Sequence, residues 1–501
     1  MVYRKLDEYV ELLRRAGALE SVEAGGLGGS LVRGISYDSR DDMESSLFVC
    51  KGAHFSEKYL AEAMSKGALA YVSEKAHGGQ AGDWPRVVVN DVRKAMALIA
   101  NSYYGESWRR LRLTGITGTK GKSTTTYYLK SVLDDWMAAT GGAPTAIMSG
   151  IRNYDGVIDE ESHLTTQETF ELHRHLDNAA SKNLRYLSME VSSQALKYGR
   201  TMGVEFDVAC FLNIDTDHIS DAEHSDYEDY LASKMSIFSQ CGRACVNLGC
   251  RDAERVLEAA RAASEVVSFG LDERADVMVY DLRPLDSGIS FRTRVRDVCG
   301  NNFDEEFKIS MGGLFNVENA AAAIGAALCL GAPAEHVRNG LLKARVPGRM
   351  EVFRGEGKTV IVDYAHNRLS FETLFKSVKR EYPGKKICIV FGCTGSKAPG
   401  RRQEMGTLAG EHADRVILTE DDPGYETTLD ICREIESYLG AGPRREIITD
   451  RAEAVRRAIE GAGPDWVTLV VGKGTETRQK RGPDFVPTKS DVEVVREYGL
   501  L

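Results

Sequence analysis

The chain carries a glycine loop that ends in Lys-Ser: Gly115-Ile116-Thr117-Gly118-Thr119-Lys120-Gly121-Lys122-Ser123-Thr124. Residue types in this order suit a polyphosphate. Glycines let backbone N–H groups approach phosphate oxygens, and a helix N-terminus behind them adds its positive end. The Lys122 ammonium would reach the terminal phosphates, and the Ser123 hydroxyl would bind Mg²⁺. Five residues, rather than the four of an ordinary P-loop, separate Gly115 from Gly121. The loop predicts that the protein handles a nucleoside triphosphate.

Further polar groups recur where apolar runs end. Glu190 follows Tyr186-Leu187-Ser188-Met189. A carboxylate at the carboxyl end of a parallel strand faces the ligand crevice and can hold Mg²⁺ there. The plain alternative is a surface glutamate at a strand end. A second run, Val208 to Leu212, ends in Asn213-Ile214-Asp215-Thr216-Asp217-His218, which brings His218 to the same crevice. Ser225-Asp226-Tyr227-Glu228 reads as a capping box, with Ser225 as N-cap and Glu228 at N3. The helix it opens carries Tyr227, Tyr230, Leu231, Ile237 and Phe238 on one stripe. Lys234 lies within that stripe. Either it extends its ammonium to water, or it is a desolvated amine able to capture CO₂ as a carbamate. Position alone does not choose between these. Later strands deliver Asp363-Tyr364-Ala365-His366, Gly395-Ser396-Lys397, Asp421-Asp422-Pro423-Gly424 and Gly472-Lys473-Gly474-Thr475-Glu476. Together these four groups describe a binding face along one sheet edge.

The elements that must position these groups read as alternating strands and helices. A strand over 111–114 leads into the phosphate loop, and a helical run over 124–136 follows it. Residues 1 to 105 alternate short strands (47–50, 70–72, 86–89) with helical stretches. A second segment covers 106–346. A third, 347–501, repeats strand and helix through 359–362, 387–390, 415–418 and 467–471. The expected fold is α/β in three domains: a central P-loop parallel-sheet ATPase domain between an N-terminal α/β domain and a C-terminal Rossmann-like domain. A chain of 501 residues is too long for one core. The net charge of -10 argues against a nucleic-acid partner. No basic-then-apolar leader opens the sequence, so the ten cysteines are expected as reduced thiols in a cytoplasmic protein. Cys241, Cys245 and Cys250 cluster without the paired spacing of a zinc site, which favours strand and turn packing. The apolar run Ala320 to Ala332 is too short and too rich in Gly and Ala to span a bilayer. A monomer without membrane partner is expected.

In chain order these stretches are joined by Met189-Glu190-Val191-Ser192-Ser193, Ser233-Lys234, Gly313-Leu314-Phe315-Asn316-Val317-Glu318-Asn319 and Pro347-Gly348-Arg349-Met350-Glu351. The ordered set resembles the Mur ligase family over essentially the whole length, including the longer phosphate loop. Within the family it resembles the branch that adds the third amino acid to the peptidoglycan precursor. The resemblance implies that the first domain holds a UDP-sugar through Ser36, Asp38, Ser39 and Arg40, that the second binds ATP, and that the third binds the incoming amino acid. It implies an acyl-phosphate reaction: ATP phosphorylates the terminal carboxylate of UDP-N-acetylmuramoyl-L-alanyl-D-glutamate, an amine attacks, and phosphate leaves. Lys122, Glu190, His218 and Lys234 would be catalytic. One Mg²⁺ would lie on Ser123 and Glu190, and a second on His218 and Lys234, the latter as N6-carboxylysine. Thr165, Thr166, Ser192 and Arg200 match positions that hold the acceptor sugar-peptide. Asn316, Asn319, Arg349 and Asp363 match ATP contacts beside the loop residues Gly118 to Thr124.

One stretch bears on the amino acid. Members of the family that add meso-diaminopimelate carry Asp-Asn-Pro-Arg, where this chain has Asp421-Asp422-Pro423-Gly424. Losing a guanidinium and gaining a carboxylate disfavours a distal carboxylate and suits a distal ammonium. L-lysine is therefore expected, with Lys397 taking its α-carboxylate and Asp421, Asp422, Gly472 and Glu476 completing the site. Ornithine stays open, since one methylene is worth only about 1–3 kcal/mol. Two rival readings are a folylpolyglutamate synthetase, which lacks the UDP-binding module, and a non-catalytic sensor of UDP-sugar or ATP. Lys122, Glu190, His218 and Lys234 together argue against the sensor.

Overall fold

The computed structural model describes residues 2–52, 55–77, 84–216, 219, 223–285, 288–395 and 400–500. Met1–Val277, Asp297–Asn301 and Ala322–Val337 form one compact unit, and Met278–Arg296, Asn302–Ala321 and Arg338–Leu501 form the other.

Two larger sheets of the first unit bear on the site. The smaller contains β1 (Leu19–Glu23), β2 (Gly34–Ser36), β3 (Ser46–Val49), β4 (Ala70–Ser73) and β5 (Arg86–Val89), in the order β1-β5-β4-β3-β2. Its pairs are parallel except β1 with β5. Every residue of β3 and β4 is buried, as expected of strands covered on both faces. The helix Leu6–Arg15 contributes Leu6, Tyr9, Val10 and Leu13 to the same core, which is the 3.6-residue periodicity of its sequence put to use.

The second sheet positions the phosphate loop. Its centre contains β6 (Arg112–Thr117), β7 (Ala146–Met148), β8 (Tyr186–Glu190), β9 (Phe206–Phe211), β10 (Cys241–Asn247) and β11 (Glu265–Gly270). The order is β7-β8-β6-β9-β10-β11, and every one of these pairs is parallel. With β8 on one side of β6 and β9 on the other, the loops leaving β6, β8 and β9 open at one topological switch point, where α/β sheets bind ligands. Helix α1 (Lys122–Thr140) follows β6, α2 (Thr169–Ser181) precedes β8, and α3 (Tyr227–Met235) lies between β9 and β10. β9 begins at Phe206, which pairs with Cys241 of β10, and the Phe206 ring packs over Gly115, where a Cβ would meet it at 3.0 Å. Cys210 on β9 and Cys245 on β10 are register partners, and Cys241 opens β10.

Helix α3 corrects the capping assignment. Its N-cap is Asp226, whose Oδ1 accepts from the Asp229 N–H at 2.8 Å. Ser225 lies one residue outside, and its N–H donates to the Asp229 carboxylate at 3.1 Å. An ionised acceptor outcompetes a hydroxyl for the helix N–H groups, which shifts the cap by one residue.

Helix α2 holds a buried liability. His173 is 0% exposed, and neither ring nitrogen has a hydrogen-bond partner. Burial pushes its pKa down to about 3. A depressed histidine is neutral in the folded state, so its contribution is intact above the unfolded value near 6.5 and is lost as pH falls towards 3. Between pH 7 and pH 5 this should remove about 2 kcal/mol of stability. His173→Phe should abolish that increment, measured by denaturant unfolding at the two pH values. Equal pH slopes for the two proteins would refute the assignment.

The second unit is built on β12 (Glu351–Gly355), β13 (Lys358–Asp363), β14 (Lys386–Phe391), β15 (Arg415–Leu418), β16 (Arg444–Ile447) and β17 (Trp466–Val471). Their order is β12-β13-β17-β14-β15-β16, parallel except at the β12–β13 edge. A hairpin, β18 (Arg478–Arg481) with β19 (Asp484–Pro487), follows. The run Ala320 to Ala332 lies mostly within the helix Asn316–Cys329. Among the described residues no helix is long and apolar enough to cross a membrane.

Candidate active site

In the first unit the loop between β6 and α1 is folded by Asn213, just beyond β9. Its carbonyl accepts from the Thr119 N–H at 3.0 Å, its Oδ1 accepts from the Lys120 N–H at 2.9 Å, and its Nδ2 donates to the Lys120 carbonyl at 3.1 Å. The Thr119 hydroxyl accepts from the Asp215 N–H at 3.1 Å and lies 3.0 Å from the Tyr230 hydroxyl. A side chain at Gly118 would strike Leu212 Cβ at 2.9 Å, and Gly121 caps α1 with φ +86, so both positions suit glycine. Lys122 and Ser123 then open α1, where first-turn N–H groups lack helical partners.

Two lysines meet at one acceptor. Lys122 Nζ donates to the Gly118 carbonyl at 2.9 Å and to Thr119 O at 3.3 Å. Lys234 Nζ, from α3, donates to the same Gly118 carbonyl at 3.0 Å. Lys234 is 1% exposed and lies 4.7 Å from the Tyr230 ring centroid. Its amine therefore does not extend to water.

Glu190 ends β8 in register with Ile116 of β6, one strand from the loop. It is 2% exposed, so it is no surface glutamate, and its Oε1 accepts from the Gly150 N–H at 2.8 Å. The Thr166 hydroxyl donates to Glu190 O at 3.0 Å and accepts from the Ser192 N–H at 2.9 Å. Arg200 donates to Thr166 O at 3.0 Å and pairs with Glu168 at 2.6 Å. Thr165, half-buried, precedes Thr166, and Ser192 caps the next short helix. Thr166, Ser192, Arg200 and Glu190 are thus one hydrogen-bonded cluster. His218 lies outside the described residues. Among those residues no group of three His, Cys, Asp or Glu side chains gathers as a metal site. A buried carboxylate such as Glu190, with a hydroxyl such as that of Ser123, has the donor chemistry for Mg²⁺, which keeps waters and phosphate oxygens and rarely takes an all-protein cage.

At the end of β2 in the small sheet, Ser36 donates to Asp41 at 2.6 Å and accepts from the Asp38 N–H at 2.9 Å. Arg40 forks onto Asp38, and Ser39 donates to Glu62 at 2.8 Å. Ser36, Asp38, Ser39 and Arg40 form one tight turn.

In the second unit, the strand ends of β13, β15 and β17 carry the remaining groups. Asp363 ends β13 and accepts from the N–H groups of Met350 at 2.8 Å and Ala365 at 2.9 Å. The Arg349 guanidinium lies 4.2 Å from the Tyr364 ring centroid. Asn316 and Asn319 are bonded to each other at 2.9 Å at the start of their helix. The Tyr364 hydroxyl donates to Glu476 at 2.6 Å. Lys473, 3% exposed, donates to Asp422 at 2.9 Å and pairs with Glu476 at 2.5 Å. Asp422 also accepts from the Lys480 N–H at 2.8 Å. Asp422 therefore already meets an ammonium of the chain itself. Asp421 is buried, which pushes its carboxyl up to about 6 against the pull of Arg451 and Lys473. A side chain at Gly472 would come within 2.5 Å of Asp421. Lys397 lies outside the described residues. Sequence reasoning placed Asn213, Tyr364 and Lys473 within their motifs but gave none of them a role of its own. Lys473, between Gly472 and Gly474 at a strand end, was the most visible of the three.

Residues 116–327 match the Mur ligase middle domain, and residues 348–474 match the Mur ligase glutamate ligase domain. A UDP-N-acetylmuramyl-tripeptide synthetase of Lactobacillus delbrueckii subsp. bulgaricus is 35% identical over 93% of this chain and 93% of its own length. A UDP-N-acetylmuramoyl-L-alanyl-D-glutamate–L-lysine ligase of Streptococcus pneumoniae is 36% identical over 89% of this chain and 88% of its own. Among solved structures, a UDP-N-acetylmuramoyl-L-alanyl-D-glutamate–2,6-diaminopimelate ligase superposes with a TM-score of 0.68 at 26% identity, covering 99% of this chain and 98% of that one.

Proposed function

The chain belongs to the Mur ligase family, and from that premise we propose that it is a MurE-type ligase. In this reading it joins L-lysine to UDP-N-acetylmuramoyl-L-alanyl-D-glutamate at the expense of ATP, as a monomer in the cytosol. The observation that carries the reading is the loop Gly118–Thr124 with two lysine amines on one of its carbonyls and Glu190 one strand away. Near-full-length relatives named as tripeptide synthetases and lysine ligases support it. We assign the UDP-sugar to 1–105, ATP to 106–346 and the amino acid to 347–501; the separate sheets of 19–89, 112–309 and 351–471 support those boundaries.

The residues divide the work as follows. Gly118 to Thr124 cradle the phosphates, and Lys122 leaves the Gly118 carbonyl for the transferring phosphoryl group. Ser123 and Glu190 would hold one Mg²⁺, and His218 with a carbamylated Lys234 a second. Bound there, Mg²⁺ supplies positive charge where phosphoryl oxygens develop negative charge. Thr165, Thr166, Ser192 and Arg200 orient the acceptor carboxylate, with Ser36, Asp38, Ser39 and Arg40 on the UDP end. Asn316, Asn319, Arg349 and Asp363 contact ATP. Lys397, Asp421, Asp422, Gly472 and Glu476 hold the amino acid, with Asp422 acting through Lys473. The attacking amine adds to the acyl phosphate, and phosphate departs from the tetrahedral intermediate.

Phosphate release across a panel of amino acids tests this directly. Release should require both the UDP-dipeptide and an amino acid, with L-lysine the best of the panel. Release at an unchanged rate without the UDP-dipeptide would refute the assignment.

A further inference from the structure

Tyr364 touches two groups with separate assignments. Its hydroxyl donates to Glu476 at 2.6 Å, and Glu476 in turn pairs with Lys473 at 2.5 Å. Its ring carries the Arg349 guanidinium at 4.2 Å. The His366 ring packs edge-on against it at 5.1 Å, and His366 Nδ1 lies 2.8 Å from the Tyr364 carbonyl, which fixes the side chain's base. Tyr364 also directly follows Asp363, whose carboxylate binds the Met350 N–H next to Arg349. One half-buried phenol therefore joins a carboxylate assigned to the amino acid to a guanidinium assigned to ATP.

We propose that Tyr364 is a positioning residue that couples amino-acid binding to nucleotide binding, an inference that rests on the ligase reading above. The physical route is short. With no substrate bound, Glu476, paired with Lys473, holds the phenol by a charge-assisted hydrogen bond. A substrate ammonium at Glu476 neutralises that carboxylate and weakens its hold on the hydroxyl. The ring is then free to follow Arg349 towards a phosphate. Because coupling is reciprocal, nucleotide should tighten the amino acid by the same factor.

The test is calorimetric titration of the full chain with a non-hydrolysable ATP analogue and Mg²⁺, at saturating UDP-dipeptide, with and without L-lysine. Lysine should tighten the analogue by about fivefold or more, the lower end of ordinary coupling. Tyr364→Phe keeps the ring under Arg349 and removes only the hydroxyl, and in it the shift should fall below twofold. Tyr498→Phe removes a comparable phenol–carboxylate bond, to Glu460 at 2.7 Å, and should keep the full shift. A shift of less than twofold in the unmodified protein, or a full shift in Tyr364→Phe, overturns the inference. Absence of ligation by the unmodified protein would overturn the parent reading instead, and the coupling with it.

Discussion

Lys234→Ala should lose ligation activity by about a thousandfold, in line with removal of a main electrostatic element at a phosphoryl-transfer site. Added acetate or propionate should restore part of it. The argument begins with two ammonium groups on one carbonyl: Lys122 at 2.9 Å and Lys234 at 3.0 Å from Gly118 O. Like charges this close repel by several kcal/mol at the effective dielectric of a protein. Lys234, at 1% exposure, cannot relieve the repulsion by turning to water. A carbamate at Lys234 would be an anion facing Lys122 with affinity for a divalent cation. The alanine variant leaves a space of the right length for a short carboxylate. Lys234→Met fills that space without charge and should not be rescued. An ordinary amine at Lys234 in a ligand-bound crystal structure grown with CO₂ available would refute the carbamate.

The fold was legible where the sequence is repetitive. Apolar runs such as Val360-Ile361-Val362 and Val467-Thr468-Leu469-Val470-Val471 became the parallel strands β13 and β17, and the polar group after each fell at a strand's carboxyl end. That is why Glu190, Asp363 and Asp421 could be singled out from order alone. What escaped was pairing across long separations. Asn213 clamps Lys120 from 93 residues away, and Lys473 reaches Asp422 across 51. No local pattern encodes either bond, since only the strand order β8-β6-β9 or β13-β17-β14-β15 brings the partners together. Lys234 sat between these cases. Its stripe was visible, but its burial depended on packing against Gly118, 116 residues earlier. The shifted cap at Asp226 shows the local limit, where neighbouring Ser and Asp compete for the same N–H groups and charge decides.

L-lysine should exceed meso-diaminopimelate by at least about a hundredfold in kcat/KM, or about 3 kcal/mol. Both substrates present the same α-amino acid end, so the difference must arise at the distal end. There Gly424 offers no cation to a second carboxylate. Asp422 contributes less than its sequence suggests, because Lys473 and the Lys480 N–H already hold it. Glu476 is held by the same Lys473 and by the Tyr364 hydroxyl, which leaves Asp421 as the group whose charge changes with pH. Asp421, with its carboxyl pushed up to about 6, gains charge as pH rises through that value. Preference for lysine should then grow between pH 5.5 and 7.5, a trend that competition assays at fixed substrate ratio can follow. Gly424→Arg with Asp422→Asn should narrow the gap only in part. A side chain at Gly424 has room, its nearest neighbour being Gly395 O at 3.9 Å, but φ there is +59. Arginine in that conformation costs about 1–2 kcal/mol and leaves the guanidinium loosely aimed. Asp422→Asn also frees Lys473 from half of its pairing, which supplies a cation to the distal carboxylate that Gly424 lacks. The double variant should accordingly owe more of its gain to the asparagine than to the arginine. Comparable kcat/KM for the two amino acids in the unmodified protein would show that this loop does not set the choice.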